Sequence, residues 1–249
     1  GDVNMTKILG LSGKKQSGKN TTANFLHGME MVSLAYIPKF QINEEGKLVV
    51  PLEDESGKLQ AGVLDLENKS PSFVEYLAIN IWPFIKAYSF ADLLKEGVCM
   101  NVLGLTREQC YGTESQKNST THIEWGDTGF SDKTGPMTAR EVMQYVGTDF
   151  FRKIYPDVWV DATIRRIEAE GTELAVVTDC RFPNEVRGVQ KIGGKVIRLT
   201  RDIADGDDVH PSEVALDDFD EFDLVVENSE ISASEAAQKI YDNLLGWGC

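Results

Sequence analysis

The sequence has little cysteine and little histidine, and neither residue type is spaced for a disulfide framework or a zinc site. Four cysteines and three histidines are scattered along 249 residues, without the close spacing that metal ligands need. Reduced thiols in a cytoplasmic protein are therefore the simplest expectation. The sequence also lacks an apolar run long enough to span a bilayer, and its N-terminal apolar run is too short for a signal peptide. We expect no membrane partner.

Positive charge is also scarce. The chain carries 25 Lys+Arg against 40 Asp+Glu, a formal net charge of −15. A general nucleic-acid binder is excluded, because no overall positive field attracts a phosphate backbone. An anionic substrate must therefore be bound by a local basic pocket. The hydrophobic content of 41% is enough for a sizeable core, and we expect a single domain over residues 5–249.

The most informative segment that is present lies at residues 13–21, GKKQSGKNT, directly behind the apolar run at 8–11. It is nearly the phosphate-loop pattern G-x-x-x-x-G-K-[ST], with Gly18 and Lys19 at the required spacing. Asn20 stands where the pattern has a hydroxyl. Glycines let the backbone curl so that successive N–H groups point at phosphate oxygens. The segment therefore predicts a phosphate-binding loop.

The residues around this loop add charge to the predicted site. Lys19 places an ammonium group near the transferred phosphate, and the hydroxyl of Thr21 can hold magnesium. From Thr21 onward the sequence is that of the first turns of a helix, whose N-terminus adds positive potential. A glycine-rich turn in a solvated loop is the alternative, and the order strand, loop, helix disfavours it.

Apolar strands alternate with helices along most of the chain. Strands that are apolar nearly throughout and are separated by helices are typical of a parallel sheet covered on both faces. We predict an α/β fold with five parallel core strands, the phosphate loop after the first, and ligands at the carboxyl ends of the strands. The predicted strands are 7–11, 85–90, 174–178, 195–200 and 223–226. The predicted helices are 19–32, 91–103, 138–154, 159–169, 185–192 and 232–245.

Two regions break this alternation. Residues 37–66 hold short β-type runs separated by the turn signals Glu45-Gly46 and Ser56-Gly57. They predict a β-hairpin or small antiparallel insertion after the first helix. Such an insertion is either a flap over the substrate or a surface decoration, and insertions are more often tolerated than functional. Residues 112–136 are polar and rich in Gly, Ser and Thr, as expected of a loop near the site.

A second chemical marker, TDCRFPNE at 178–185, follows the apolar run at 174–177. Asp179, at the end of a buried strand, can orient magnesium through water or hold a substrate group. Arg181 can bind a phosphate with two parallel hydrogen bonds. The alternative is an aspartate that caps the next helix and an arginine in an ordinary ion pair. Beside a phosphate loop we favour the functional role.

A third marker is TAREVMQYVGTD at 138–149. Its apolar residues make one helical face, which is core by default. Arg140 lies at the start of this helix, where the helix dipole disfavours a cation. An anion bound there would explain it, although a solvated surface arginine is the commoner case. Trp159 offers a flat face for a base or sugar, although a half-buried helix tryptophan is commoner still.

Seven segments together resemble the bacteriophage deoxynucleoside monophosphate kinases: SGKKQSGKNTT, YSFADLLKE, LTREQCYGT, AREVMQYVGTDFFR, DVWVDA, VVTDCRFPNE and HPSE. The resemblance runs from Lys7 to about Asn228, apart from the β-rich insertion. It implies a three-layer P-loop fold like that of nucleoside monophosphate kinases. It also implies transfer of the ATP γ-phosphate to a deoxynucleoside 5′-monophosphate, with magnesium. The expected location is the cytoplasm, which for a phage protein is that of the host cell. Whether the protein forms a homodimer stays an open question.

The resemblance also implies roles for individual residues. The ATP side comprises Gly13, Gly18, Lys19, Asn20, Thr21, Thr22 and Arg201, with Thr21 as the metal ligand. The acceptor side comprises Lys15, Leu94, Lys95, Arg140, Gly147, Thr148, Asp149, Trp159, Asp179, Arg181 and Glu185. Lys19, Asp179 and Arg181 form the implied catalytic group. Two positions depart from the family: Asn20 replaces a common Asp, and Leu93 replaces a frequent Pro.

Two other functions stay open on the sequence. An animal-type phosphomevalonate kinase has a similar loop and a similar downstream DxR segment, and a titration of nucleotides against a mevalonate phosphate would separate the two. An NTP-driven regulatory switch usually carries N-K-x-D to recognise guanine. Asn68-Lys69-Ser70-Pro71 lacks the aspartate of that motif, so the switch is the weaker alternative.

Overall fold

The computed structural model describes residues 6–201 and 214–247. The strands in these ranges are β1 Lys7–Ser12, β2 Gln41–Ile42, β3 Leu48–Glu53, β4 Leu59–Leu64, β5 Ile85–Tyr88, β6 Thr120–Glu124, β7 Pro136–Thr138, β8 Leu174–Cys180, β9 Lys195–Thr200 and β10 Leu224–Glu227. The α-helices are α1 Lys19–Ser33, α2 Pro71–Asn80, α3 Arg107–Tyr111, α4 Glu114–Lys117, α5 Trp125–Thr128, α6 Ala139–Gln144, α7 Arg152–Ile154, α8 Val158–Glu170, α9 Pro183–Lys191 and α10 Ala233–Gly246. Two π-helices are π1 Leu93–Met100 and π2 Tyr145–Phe151.

The central sheet has five strands in the order β10-β9-β1-β8-β5, and every neighbouring pair is parallel. This confirms the predicted α/β fold, with five parallel strands and the phosphate loop after the first. The sheet is apolar because both of its faces are covered. Leu9, Val176 and Ile197 are each at most 3% exposed, and burial of such a side chain is worth about 1.5–3 kcal/mol.

The chain divides into two compact units, which we call the sheet unit and the helical unit. The sheet unit comprises Gly1–Tyr88 and Arg165–Cys249, and the helical unit comprises Ser89–Ile164. Within the sheet unit α10 packs against α1, the helix that follows the phosphate loop. The assignment of residues 5–249 to one domain remains a prediction. Among the described residues, no helix is both long and apolar enough to cross a membrane.

The predicted β-rich insertion is present as a three-stranded antiparallel sheet, β2-β3-β4. Its two turns are built alike. The side chain of Asn43 accepts hydrogen bonds from the backbone N–H groups of residues 45 and 47, and the side chain of Asp54 does the same for residues 56 and 58. Gly46 and Gly57 occupy equivalent places, with φ of +77° and +79°. Only glycine adopts this left-handed geometry without strain.

In the helical unit, helices lie where helices were predicted, but parts of them are π-helices. The helix predicted at 91–103 is the π-helix π1, and the helix predicted at 138–154 is split into α6, π2 and α7. The stretch 112–136, predicted to be a loop, contains α4, β6 and α5. Thr113 starts α4 through a capping box, in which its hydroxyl and the Gln116 side chain satisfy each other's backbone N–H groups.

Candidate active site

The phosphate loop connects β1 to α1 and curls through two left-handed residues. Gln16 has φ of +63° and Gly18 has φ of +101°, and the N–H of Ser17 donates to the carbonyl oxygen of Lys14 at 3.1 Å. Gly18 is the N-cap residue of α1, so the loop leads directly into the positive end of the helix dipole. Loops that combine left-handed residues in this way are typical of sites whose backbone N–H groups bind an anion.

Lys19 folds back over the loop. Its ammonium group donates to the carbonyl oxygen of Gly13, at the opposite end of the same loop. Below the loop, the guanidinium of Arg198 donates to the hydroxyl of Ser12 at 2.8 Å. Burial lowers the pKa of Arg198, and the carboxylate of Asp217 opposes that shift. Of these two cations, Lys19 was predicted from the sequence to act at the loop and Arg198 was not.

A cleft of about 620 Å³ opens beside the loop. Its walls come from the loop and the first turn of α1, from the β2–β3 turn of the insertion, from Arg201 and from the start of α10. The cleft lies entirely within the sheet unit. A smaller cavity of about 180 Å³ shares Asn20, Glu45 and Gly46 with it. Of the predicted ATP-side residues, Gly18, Lys19, Asn20, Thr21 and Arg201 line the large cleft.

The two threonines after Lys19 have different surroundings. Thr22 is 1% exposed, and its hydroxyl donates to the carbonyl oxygen of Gly18 at 2.9 Å. The Thr21 hydroxyl lies against the β2–β3 turn, because a Cβ built on Gly46 would be 2.2 Å from it. Asn24, one turn further along α1, donates to the carbonyl oxygen of Gly46 at 2.8 Å. The insertion is therefore docked on the first turns of the phosphate-loop helix.

The donor atoms around the loop fit a magnesium ion that takes most of its ligands from substrate and water. Asn20 is exposed in the cleft, and Thr21 follows it on the same turn. Asp179 stands at the end of β8, next to the end of β1. Among residues 6–201 and 214–247, no group of three or more His, Cys, Asp or Glu side chains could hold a metal ion. Magnesium does not need such a group, since one or two protein ligands with phosphates and water are its usual set.

Asp179, Arg181 and Glu185 lie together at the carboxyl end of β8 and the start of α9. Glu185 is 4% exposed, and one of its carboxylate oxygens accepts from the N–H of Arg181 at 2.9 Å and from that of Phe182 at 2.8 Å. Glu185 thus shapes the turn that presents Arg181. Burial raises the pKa of the Cys180 thiol, helped by the carboxylates of Glu185 and Asp179. That thiol is therefore held in its protonated, unreactive form.

In the helical unit, Arg140 has protein partners at the N-terminus of α6. Its guanidinium donates to the carboxylate of Glu114 at 2.5 Å and to the side-chain oxygen of Asn118 at 3.1 Å. Lys95 lies on π1, with its ammonium 4.9 Å from the ring centre of Tyr111. The Tyr111 hydroxyl donates to the carboxylate of Asp92 at 3.1 Å. Burial raises the pKa of this tyrosine hydroxyl.

The two π-helices of the helical unit touch at a glycine. A Cβ on Gly147 of π2 would come within 2.7 Å of the side chain of Leu94 on π1, so a larger residue at this position would force Leu94 to move. The indole N–H of Trp159 donates to the carbonyl oxygen of Gly147 at 3.0 Å, and its ring packs 5.2 Å from that of Phe151. Trp159 is 8% exposed, which leaves little of its face for a ligand.

The predicted acceptor residues divide between the two units. Leu94, Lys95, Arg140, Gly147, Thr148, Asp149 and Trp159 belong to the helical unit, whereas Lys15, Asp179, Arg181 and Glu185 belong to the sheet unit. Thr148 is half-buried, and Asp149 and Lys15 are exposed. The HPSE segment at 210–213 lies outside the described residues.

Asn228 is a further residue at the loop that sequence reasoning missed. It is 1% exposed, and its side-chain amide donates to the carbonyl oxygen of Ser17. A Cβ on Gly18 would lie 3.3 Å from the same amide nitrogen. Its position directly after Glu227, the last residue of β10, was the available signal, since ligands gather at the carboxyl ends of parallel strands.

Comparison with known proteins identifies the family of the chain. A family model described as deoxynucleotide monophosphate kinase matches residues 7–240. A protein of Acanthamoeba polyphaga mimivirus, described as "Putative deoxynucleotide monophosphate kinase", is 32% identical over 154 residues, which is 57% of this chain and 74% of the viral protein. The matched range includes the phosphate loop, both units and the last strand of the sheet. The chain belongs to the deoxynucleotide monophosphate kinase family.

Proposed function

We propose that the large cleft binds ATP and that the enzyme transfers the γ-phosphate of ATP to the 5′-phosphate of a deoxynucleoside monophosphate. An oxygen of the acceptor phosphate attacks the γ-phosphorus, and the bond from phosphorus to the β–γ bridging oxygen breaks. ADP leaves with that electron pair, and the other product is the deoxynucleoside diphosphate. The observation that carries the proposal is the phosphate loop opening onto a cleft of about 620 Å³, a size typical of small-ligand sites.

Phosphoryl transfer asks the protein for positioning and charge rather than covalent chemistry. On the donor side, the N–H groups of the loop and the Lys19 ammonium would neutralise the β- and γ-phosphates. In this proposal Arg181 neutralises charge at the transferred phosphate, and Lys15 reaches the acceptor phosphate. Thr21 would hold magnesium and Asp179 would orient it through water, and the ion would supply further positive charge at the phosphates.

On the acceptor side, Arg140 and Lys95 are the proposed phosphate ligands. The contact of Arg140 with Glu114 does not prevent this, because the Glu114 side chain is 69% exposed and exposed ion pairs contribute only about 0–1 kcal/mol. A doubly charged phosphate offers more oxygen acceptors to the same guanidinium. Leu94, Gly147, Thr148, Asp149 and Trp159 would form the wall around the acceptor. Trp159 then acts by fixing the backbone of π2 through its bond to Gly147.

We also propose that residues 5–249 work as one kinase domain in the cytoplasm. An ADP-release assay over all deoxyribo- and ribonucleoside monophosphates tests the function directly. We expect ADP release only with nucleoside monophosphates, and faster with the deoxy forms. A mevalonate phosphate serves as the control acceptor, and its use in place of a nucleotide would overturn the assignment. Sedimentation of the same preparation tests the homodimer.

A further inference from the structure

The insertion β2-β3-β4 contains two turns of the same construction but with different surroundings. Both have an Asx side chain that accepts from two backbone N–H groups, and both end in a left-handed glycine. The second turn is open, since nothing lies within 4 Å of a Cβ built on Gly57. The first turn is docked, since a Cβ on Gly46 would strike the Thr21 hydroxyl at 2.2 Å. The two turns have the same backbone geometry, but only the first contacts α1. The contact is therefore specific to the first turn and is not a consequence of the turn type.

The docked turn also forms one wall of the large cleft. Residues 42–46 line it together with the phosphate loop and the start of α10. Asn24 fixes the turn in place by donating to the Gly46 carbonyl oxygen at 2.8 Å. The insertion is thus joined to the helix whose first turn carries the loop, through contacts that a surface decoration does not need.

The charge of this wall indicates which part of the ligand it faces. Glu44 and Glu45 are exposed and line the cleft. Carboxylates repel a triphosphate, whose charge is matched by Lys19 and by Arg201 on other walls of the same cleft. Carboxylates do accept hydrogen bonds from hydroxyl and amino groups. The turn therefore suits the nucleoside part of the donor better than its phosphates.

We propose that turn 43–47 is the donor-specificity element of this kinase, and that Glu44 and Glu45 accept hydrogen bonds from hydroxyl or amino groups of the donor nucleoside. The proposal rests on the proposed function, in which the large cleft is the ATP site. It assigns to the insertion a role in selecting the phosphate donor and none in selecting the acceptor.

The two turns supply a matched pair of variants. Gly46→Ala and Gly57→Ala introduce the same strain, because both positions have φ near +78°. Only Gly46→Ala places a methyl group on Thr21. We expect Gly46→Ala to raise the KM for ATP about tenfold, the upper range for one lost hydrogen bond, while the KM for the acceptor stays within about twofold. Gly57→Ala should match wild type. Equal behaviour of the two variants would overturn the proposal.

Asn24→Ala covers the case in which Gly46→Ala does not fold. It removes the hydrogen bond to Gly46 without changing the backbone of the turn. We expect a rise of about threefold in the KM for ATP, with the acceptor KM unchanged, since a single neutral hydrogen bond is lost. An acceptor KM that rises in parallel would show a general disturbance of the site and overturn the assignment to the donor.

The nucleoside group that Glu44 and Glu45 bind can be identified from the preference of the enzyme among phosphate donors. Glu44→Gln and Glu45→Gln are assayed with ATP, 2′-deoxyATP and GTP, and Glu55→Gln at the place equivalent to Glu44 in the open turn is the control. Loss of the preference for ATP over 2′-deoxyATP identifies a ribose hydroxyl as the partner, and loss of the preference for ATP over GTP identifies the base amino group. Unchanged ratios in both variants would overturn the role of the carboxylates. A separate result tests the proposed function itself: full activity of Lys19→Ala would contradict it.

Discussion

Asn228 donates its side-chain amide to the carbonyl oxygen of Ser17 at 2.8 Å, and so joins the end of β10 to the middle of the phosphate loop. The backbone N–H of Asn228 donates to Thr200 at the end of β9, which fixes the asparagine itself. Within the described ranges, the hydroxyl of Ser17 and the amide oxygen of Asn228 are buried without a hydrogen-bond partner. A buried polar group without a partner is costly, and the bond between the Asn228 amide nitrogen and the Ser17 carbonyl oxygen spares both of those groups that cost.

Asn228→Asp should weaken ATP binding. The change keeps the shape of the side chain but replaces the donor with a carboxylate that repels both the Ser17 carbonyl oxygen and the phosphates. We expect the KM for ATP to rise at least about tenfold, roughly 1.4 kcal/mol, with a much smaller change in the acceptor KM. Asn243→Asp, an exposed position on α10, is the matched control. Equal shifts in both KM values would argue for a general structural role.

Lys19→Ala should reduce kcat by about two or more powers of ten, because the ammonium stabilises charge that develops in the transition state. The fold should persist, since the lysine contacts the rim of the loop rather than the core. Steady-state kinetics and thermal unfolding measure the two effects separately. Lys239→Ala removes one exposed charge from α10 and should leave kcat unchanged. Near wild-type activity of Lys19→Ala would remove the phosphate-loop argument.

Arg140→Ala and Arg181→Ala should differ in which kinetic constant they change. Arg140 is the proposed ligand of the monophosphate, so its loss should raise the acceptor KM more than the KM for ATP. Arg181 follows β8 and is the proposed transfer arginine, so its loss should mainly lower kcat, by about a thousandfold if it acts as an arginine finger. Unchanged acceptor KM and kcat in both variants would show that these arginines are structural.

Asn20→Asp should have a small effect. Asn20 faces the cleft and can accept a hydrogen bond through its amide oxygen without adding charge. If the common family acid acts by hydrogen bonding, kcat/KM should change by less than about tenfold, roughly 1.4 kcal/mol. Magnesium titrations of wild type and variant measure this, and a large shift toward lower magnesium would contradict it. Thr21→Ala tests the metal ligand, and full activity would exclude its hydroxyl, which lies beside Gly46.

Stability should fall below neutral pH because of His27. This residue is 3% exposed and its ring nitrogen bonds to the Ala23 carbonyl oxygen at 2.7 Å. Burial lowers its pKa from the ordinary value of 6.5. Below pH 6.5 the His27 ring is protonated in the unfolded chain but stays neutral in the folded chain. The free energy of unfolding therefore decreases as pH falls from 6.5 toward the folded pKa. Urea unfolding at about pH 5.5 and 7.5 measures this difference, which should shrink in His27→Leu and persist in the exposed His122→Leu.

The elements that could be predicted from sequence are those defined by local patterns. The strand 195–200 was predicted with its observed bounds, and the phosphate loop was placed because its spacing is itself the signal. The π-helices were not predictable, since residues 93–100 and 145–151 carry the same periodicity as α-helices. Helix α2 was missed although Ser70 and Pro71 form an ordinary helix start.

By itself, the sequence determined that this chain is an α/β protein with a glycine-rich loop of phosphate-loop spacing after its first strand, and it predicted that basic residues of several segments bind phosphate. These features depend on neighbours in the chain: apolar runs, glycine spacing and a lysine at the start of a helix. Only the tertiary structure decided that the Thr21 hydroxyl lies against Gly46 and that Asn228 holds Ser17 from 211 positions away. Such contacts follow from strand order and packing, which bring residues together without regard to their separation in the chain.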